Sequence, residues 1–415
     1  MERHYSRRGI VILCSLVYFV SYFSRKDFAA VMAAMLEANV LDKATAGLIG
    51  TMLFVFYGVG QLLSGYLGDR VKPKYLLMLG VFTTAVCNLL FPLFESAGLQ
   101  VAIWGLNGLA QAMLWPPIVR ILAEHLDHEQ YATANLVVTT AAHVATILLY
   151  LYVPLCLRIA DWQTVFYSAA LLAAVALLLF ILALRFVLPE EGGRGTRGAD
   201  AAAAVPRRES VLRTVKRSGL LPVFACIVAC GFLRDGIESW LPTLYSEAFG
   251  RDASESILIS VALPVFAILA ITLIKILHKG RLFNNEARGA AIFFAAAAVL
   301  CLPLVLLIES KAIAARIACL VLASLVCGAM HGVNFLLISC VPGRYAGTGC
   351  VSTISGLCNA FIYVGAAISM YGIALVAENL GWQTTVLSWI GIAVLGGVLV
   401  LLGLRRFSAF IASEE

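Results

Sequence analysis

Apolar runs of 18 residues or more recur along the chain with short polar breaks between them. Twelve can be delimited, near 10–36, 45–69, 75–94, 98–124, 132–156, 163–188, 219–248, 255–277, 289–308, 312–339, 348–376 and 382–404. Each is long enough to cross a bilayer, and only as a helix can such a segment satisfy its own backbone inside lipid. The pattern therefore predicts an all-α polytopic membrane protein with twelve transmembrane helices. The one long break covers 189–217, where Pro189-Glu190-Glu191-Gly192-Gly193-Arg194 leads into an alanine run and Pro206-Arg207-Arg208. It offers nothing to build a core from and reads as a flexible cytoplasmic linker. The chain divides accordingly into a six-helix bundle over 1–188, the linker at 189–217, and a second six-helix bundle over 218–415.

Composition agrees with this picture. The chain is 61% hydrophobic and 13% charged, about half the charged fraction of a soluble domain. Arg3, Arg7 and Arg8 precede the first run with no small-residue cleavage site after it, so that run is expected to be a retained helix. The net charge of +6 is unevenly placed. Alternate loops hold Arg70, Lys72 and Lys74, then the linker arginines, then Lys275, Lys279, Arg281 and Arg288, then Arg344, and finally Arg405 and Arg406. The opposite loops hold Lys43, Arg158, Arg251 and Lys311, mostly beside acids. By the positive-inside rule both termini are expected in the cytoplasm, in an inner cell membrane. The eleven cysteines show no CxxC spacing and read as small hydrophobes. No metal or other cofactor is expected, no nucleic-acid partner, and a monomer in the lipid bilayer. No Walker motif, HExxH or catalytic constellation occurs, which argues against an enzyme or an ATP-driven pump.

The candidate chemistry lies inside the apolar runs. Arg25 stands 17 positions after Arg8, and Arg234 stands 17 after Arg217, which is roughly 25 Å along a helix in each half. A guanidinium at that depth costs about 2.5–3.5 kcal/mol on insertion scales, so two facing lipid would cost about 5–7 kcal/mol. Two arginines converging on an anionic substrate is the economical reading. Tyr18, Tyr22 and Arg25 fall at i, i+4, i+7 and share a helix face, and Tyr57 and Gln61 repeat the i, i+4 spacing in the second run. Arginine forks and phenolic donors suit a phosphate, and the tyrosines equally fit packing or aromatic-belt roles. Lys26 and Glu238 flank the arginines on opposite halves, and a salt bridge between the halves is expected of them. Asp27 and Asp235 are the rival partners, and charge balance within each half is the alternative.

Two resemblances follow from motifs. Gly65-Tyr66-Leu67-Gly68-Asp69-Arg70-Val71-Lys72-Pro73-Lys74 is similar to the conformational loop of the major facilitator superfamily, with Gly65, Gly68, Asp69 and Arg70 at the signature spacing. The implied architecture is two pseudo-symmetric six-helix bundles rocking about a midplane site. Tyr18-x3-Tyr22-x2-Arg25-Lys26-Asp27-Phe28, with Leu233-Arg234-x-Gly236-Ile237-x-x-Trp240-x-Pro242, Trp115-Pro116-Pro117 and Gly381-Trp382, resembles the organophosphate:phosphate antiporters. That resemblance implies that Arg25 and Arg234 grip a phosphoryl group beside Tyr18, Tyr22 and Tyr57, and that a small organic phosphate exchanges for inorganic phosphate by alternating access. A divalent phosphate would match the two arginine charges. Departures are Gln61 where glycerol-phosphate transporters carry lysine, Asp27 where asparagine is common, and Gly231 where a tyrosine often precedes the second arginine. His331 takes a position often held by tyrosine and is either a packed group or a substrate contact. His143 lies one residue out of step with a family histidine. A membrane phosphate-ester sensor, or a carrier of another organic anion with proton coupling, remains an alternative.

Overall fold

The computed structural model describes residues 7–68, 71–187, 211–277, 285–348 and 351–414, nearly all of them helical. In chain order the helices are α1 (Arg7–Glu37), α2 (Lys43–Gly68), α3 (Pro73–Leu90), α4 (Ala97–Ala112), α5 (Trp115–His125), α6 (His128–Ile159) and α7 (Gln163–Val187). After the linker come α8 (Val211–Ser218), α9 (Leu220–Phe249), α10 (Ala253–Ile259), α11 (Ala262–Leu277), α12 (Glu286–Leu307), α13 (Ile313–Asn334) and α14 (Val351–Glu414).

These helices make twelve crossing segments among the described residues, and the places where helix and crossing do not coincide have local causes. The fourth crossing, one unbroken run in the sequence, is split between α4 and α5. Pro116 and Pro117 open α5, and neither has an N–H to give the carbonyls of the preceding turn. The eighth is split between α10 and α11, where Pro264 has no N–H to give the Ser260 carbonyl, which accepts from Leu263 at 3.0 Å instead. The tenth continues past α13 through a π-helical turn over Phe335–Cys340 and a 3₁₀ helix over Val341–Thr348 that contains Pro342. α14 is the reverse case. Its 64 residues would reach about 96 Å as one rod, roughly three times a hydrocarbon core. Gly381, at φ 80° and ψ 173°, turns the chain instead and separates a first arm, 351–380, from a second, 382–414. That conformation is open only to glycine.

Residues 188–210 of the expected linker lie outside the described residues. Its last part is not the flexible chain the sequence suggested, because 211–218 form α8. Val215 and Thr214 are buried, and Ser218 Oγ donates to the Thr214 carbonyl at 2.7 Å. Gly219, at φ 70°, then joins α8 to α9, where a Cβ would lie 2.8 Å from that of Arg406. The alternation of apolar and basic residues in Val211-Leu212-Arg213-Thr214-Val215-Lys216 gives α8 a face that can be covered.

Small residues let the helices approach where side chains would hold them apart. A Cβ on Gly108 of α4 would meet the Leu53 carbonyl of α2. In the C-terminal six crossings the contact is reciprocal, with Gly231 of α9 against the Ile362 carbonyl of α14 and Gly365 of α14 against the Val228 carbonyl of α9. Between the two sets of six, α2 lies along the first arm of α14. Gly47 sits against the Met370 carbonyl and Ala374, and Thr51 Oγ1 donates to the Ala367 carbonyl at 2.9 Å. Substituting Gly365→Val should cost about 1–3 kcal/mol or more, the usual penalty of overpacking. Its melting temperature in detergent should fall, whereas Gly391→Ala, with nothing within 4 Å of its Cβ position, should change little.

Candidate functional site

The middle of α1 is fixed by polar braces from two neighbouring helices, α3 and α4. Ser21 Oγ donates to Gln111 Oε1 at 2.6 Å, and Gln111 donates to Thr84 Oγ1 at 3.2 Å. The Ser24 carbonyl accepts from Asn88 Nδ2 at 3.1 Å and from Asn107 Nδ2 at 3.2 Å. On a helix so held, Arg25 points toward the centre and is 8% exposed. Its guanidinium carbon lies 4.3 Å from the Tyr22 ring centroid and 5.1 Å from that of Tyr57, a cation–π setting that strengthens where water is scarce. Tyr18 extends this wall, with ring centroids 5.0 Å from Tyr22 and 4.8 Å from Trp115. Among the described residues Arg25 has no hydrogen bond and no ion pair. Its five N–H donors are therefore open to a ligand.

Arg234 is held differently. It donates from Nη1 to Asn334 Oδ1 and from Nη2 to Asp235 Oδ2, both at 2.7 Å. Tyr363, from the first arm of α14, packs its ring 4.3 Å from that of Tyr57, joining the aromatic wall from the other half.

Beside the arginines, Lys26 Nζ lies 2.6 Å from Glu238 Oε2, joining α1 to α9. The other carboxylate oxygen of Glu238 meets His331 Nε2 at 2.7 Å and Cys327 Sγ at 3.6 Å. Tyr150 of α6 donates to the Glu238 carbonyl at 3.4 Å. His143 and His331 face each other from opposite halves with ring centroids 5.8 Å apart. The rival partners for Lys26 go elsewhere. Asp235 pairs with Arg234 inside its own half. Asp27 is sealed at 0% exposure; its Oδ1 accepts the Phe28 N–H at 2.8 Å and its Oδ2 has no hydrogen bond among the described residues. The cause is helical geometry, since Asp27 and Arg25 point about 200° apart around α1.

Gln61, expected in the pocket, donates its amide to the Ala112 carbonyl at 3.3 Å and braces α2 against α4. No contact joins it to Arg25 or Arg234 among the described residues. Gly65 and Gly68 lie in the last turn of α2, and Asp69 and Arg70 lie outside the described residues.

A second polar cluster closes one end of the bundle. Lys43 at the start of α2 pairs with Glu247 at the end of α9 at 2.7 Å, and Trp382 Nε1 donates to the same carboxylate oxygen at 2.9 Å. Glu37 Oε2 accepts the Ala253 N–H at 3.1 Å, capping α10 from the opposite half. Sequence reasoning missed this cluster, along with Asn334, Tyr363, Tyr150 and Cys327. Lys43 and Glu247 are surface charges by pattern, and only the fold brings them together. Tyr363 carried a usable signal, a phenol in the middle of an apolar run.

A family model described as Major Facilitator Superfamily matches residues 14–370. The probable hexose phosphate transport protein of Chlamydia trachomatis serovar D is 33% identical over 129 residues, 31% of this chain and 28% of that protein. The match therefore spans under a third of that relative. The membrane sensor protein UhpC of Salmonella typhimurium is 25% identical over 91% of this chain and 87% of its own length. The glycerol-3-phosphate transporter of Bacillus subtilis is 24% identical over 92% and 89%. Among solved structures, a bacterial homolog of the human lysosomal transporter Spinster superposes with a TM-score of 0.76 at 14% identity, covering 97% of this chain and 98% of that one.

Removing one partner of a buried ion pair strands the other, typically at about 3–5 kcal/mol, whereas removing both charges costs far less. Lys26→Met should accordingly lower the melting temperature of the purified protein. Lys26→Met combined with Glu238→Gln, which still accepts from His331, should recover most of the loss.

Proposed function

The chain belongs to the Major Facilitator Superfamily, and we propose that it is a secondary transporter exchanging a small organic phosphate ester for inorganic phosphate by alternating access. It is a multi-pass membrane transport protein, and its curated relatives agree with the organophosphate:phosphate antiporter branch. The observation that carries the substrate assignment is Arg25, a buried guanidinium on an aromatic platform with no acidic partner among the described residues. A planar fork with open donors is complementary to a phosphoryl group, whose oxygens take two parallel N–H bonds. Tyr22, Tyr57 and Tyr363 add an aromatic wall without adding charge, and Arg234 is the arginine that the other half contributes to the proposed site.

Two bundles, 1–188 and 218–415, rock about this point. Under the charge asymmetry of the loops, the end closed by Lys43, Glu247 and Trp382 faces outward, so this conformation is shut on the outer side. Transport then requires that end to part while the opposite end closes. Lys26 and Glu238 join the halves at the level of the substrate. An anion drawn to Arg25 lies beside Lys26 and competes with Glu238 for it, which couples occupancy to the contact between halves. An empty site leaves Arg25 uncompensated, a physical basis for obligate exchange.

A second reading has one observation in its favour, the alignment with a membrane sensor protein over 91% of the chain. A sensor would bind the ester without moving it. Counterflow of labelled phosphate into proteoliposomes loaded with inorganic phosphate separates the two, since a carrier exchanges and a sensor does not. Losing a charged hydrogen bond is worth about 1.5–3 kcal/mol. Arg25→Lys should therefore weaken substrate binding by about 10- to 100-fold and abolish counterflow at low substrate. Normal exchange by both Arg25→Lys and Arg234→Lys would refute the clamp.

A further inference from the structure

We propose that Asp235 is a specificity-determining residue that tunes the central site to a substrate carrying one net negative charge. The inference rests on the phosphoryl-site reading above. Asp235 fills the variable position between Arg234 and Gly236 in the α9 motif. Its Oδ2 sits 2.7 Å from Arg234 Nη2, while Nη1 of the same guanidinium is taken by Asn334. Arg234 therefore meets the substrate with its charge already countered. Lys26 is countered in the same way by Glu238. Three cations and two carboxylates face the site, and one positive charge, that of Arg25, is left over. Asp27 does not alter this, because it is sealed in the core behind α1 and points away from the site.

At this burial a second negative charge on the substrate would have no cation of its own and would lie against Asp235 and Glu238. A singly protonated phosphate ester, or any other monoanion of the same tetrahedral shape, completes the balance. The expectation of a divalent guest drawn from two arginines omitted the acid next to the second one.

The test compares two glycerol esters of fixed skeleton, the phosphate and the sulfate, by titration calorimetry on the purified full chain. A sulfate monoester keeps one charge throughout, whereas a phosphate monoester passes from one to two near pH 6. Its pH 5.5 and pH 8 affinities are therefore read relative to the sulfate at each pH. His143, His331, Tyr22, Tyr57 and Tyr363 face the same space, and the sulfate ester reports any titration of theirs. The wild-type protein is expected to bind the sulfate at pH 8 at least as tightly as the phosphate, and to bind the phosphate several-fold tighter at pH 5.5. Asp235→Asn should shift the pH 8 ratio tenfold or more toward the dianion, and Asp235→Glu should leave it unchanged. A wild-type preference of tenfold or more for the dianion would overturn the inference and leave the phosphoryl site standing, as would an unaltered ratio in Asp235→Asn. Failure of the wild type to bind either ester would overturn the phosphoryl-site reading, and this inference with it. Should Asp235→Asn fail to fold, Asp235→Ser is read in its place, with the same tenfold shift expected and an unaltered ratio overturning the inference.

Discussion

A positive charge that cannot leave hydrocarbon depth and has no acid of its own is the constraint around which the centre of this protein is arranged. The aromatic rings around Arg25 reduce the cost of keeping it there without neutralising it. Two aromatic faces supply the quadrupole, and the helix that carries it is held by side-chain donors to a main-chain carbonyl one residue away. The neighbouring Lys26 is dealt with separately, by a carboxylate from the other half of the molecule. The contrast between these adjacent residues is informative. The cation that is paired ties the halves together, and the cation that is not paired is the one to which the proposed substrate is assigned.

Besides the seam of α2 against α14, charged side chains join the halves at two levels. Near the middle are Lys26, Glu238 and the residues that orient the carboxylate, among them His331 and Tyr150. At one end are Lys43, Glu247, Trp382 and the Glu37 cap on α10. Glu238 and Glu247 each accept from more than one donor, so neither joint depends on a single bond. The lower polarity of the middle makes its pair the costlier one to break.

Much of this was legible in the sequence, for reasons that differ by residue. The twelve crossings follow from run length, because lipid leaves the backbone no choice. Arg25 and Arg234 stood out because an arginine in an apolar run is expensive wherever it points. The helix breaks at Met113 and Ser260 were hidden, because proline spacing shows where a helix is weakened and not whether it parts. The fate of Gln61 was hidden as well, since an amide on the same face of α2 as Tyr57 can turn to a backbone carbonyl of α4 instead of toward Arg25. Asp27 and Asp235 looked equivalent as rivals for Lys26, yet one position around the helix separates a sealed acid from one that reaches the neighbouring guanidinium. Gly231, read as a departure from a tyrosine, proved to be where the α14 backbone crosses α9.

That crossing has a mechanical meaning. With Gly231 against the chain at Ile362, and Gly365 against the chain at Val228, α9 and the first arm of α14 are locked backbone to backbone on both sides of the contact. They must travel as one plank. Arg234 sits three residues beyond the first glycine and Tyr363 two residues before the second, so this plank carries both of them at a fixed spacing. Under the transport proposed above, accommodation of guests of different size falls therefore to α1, whose Arg25 makes the opposite jaw.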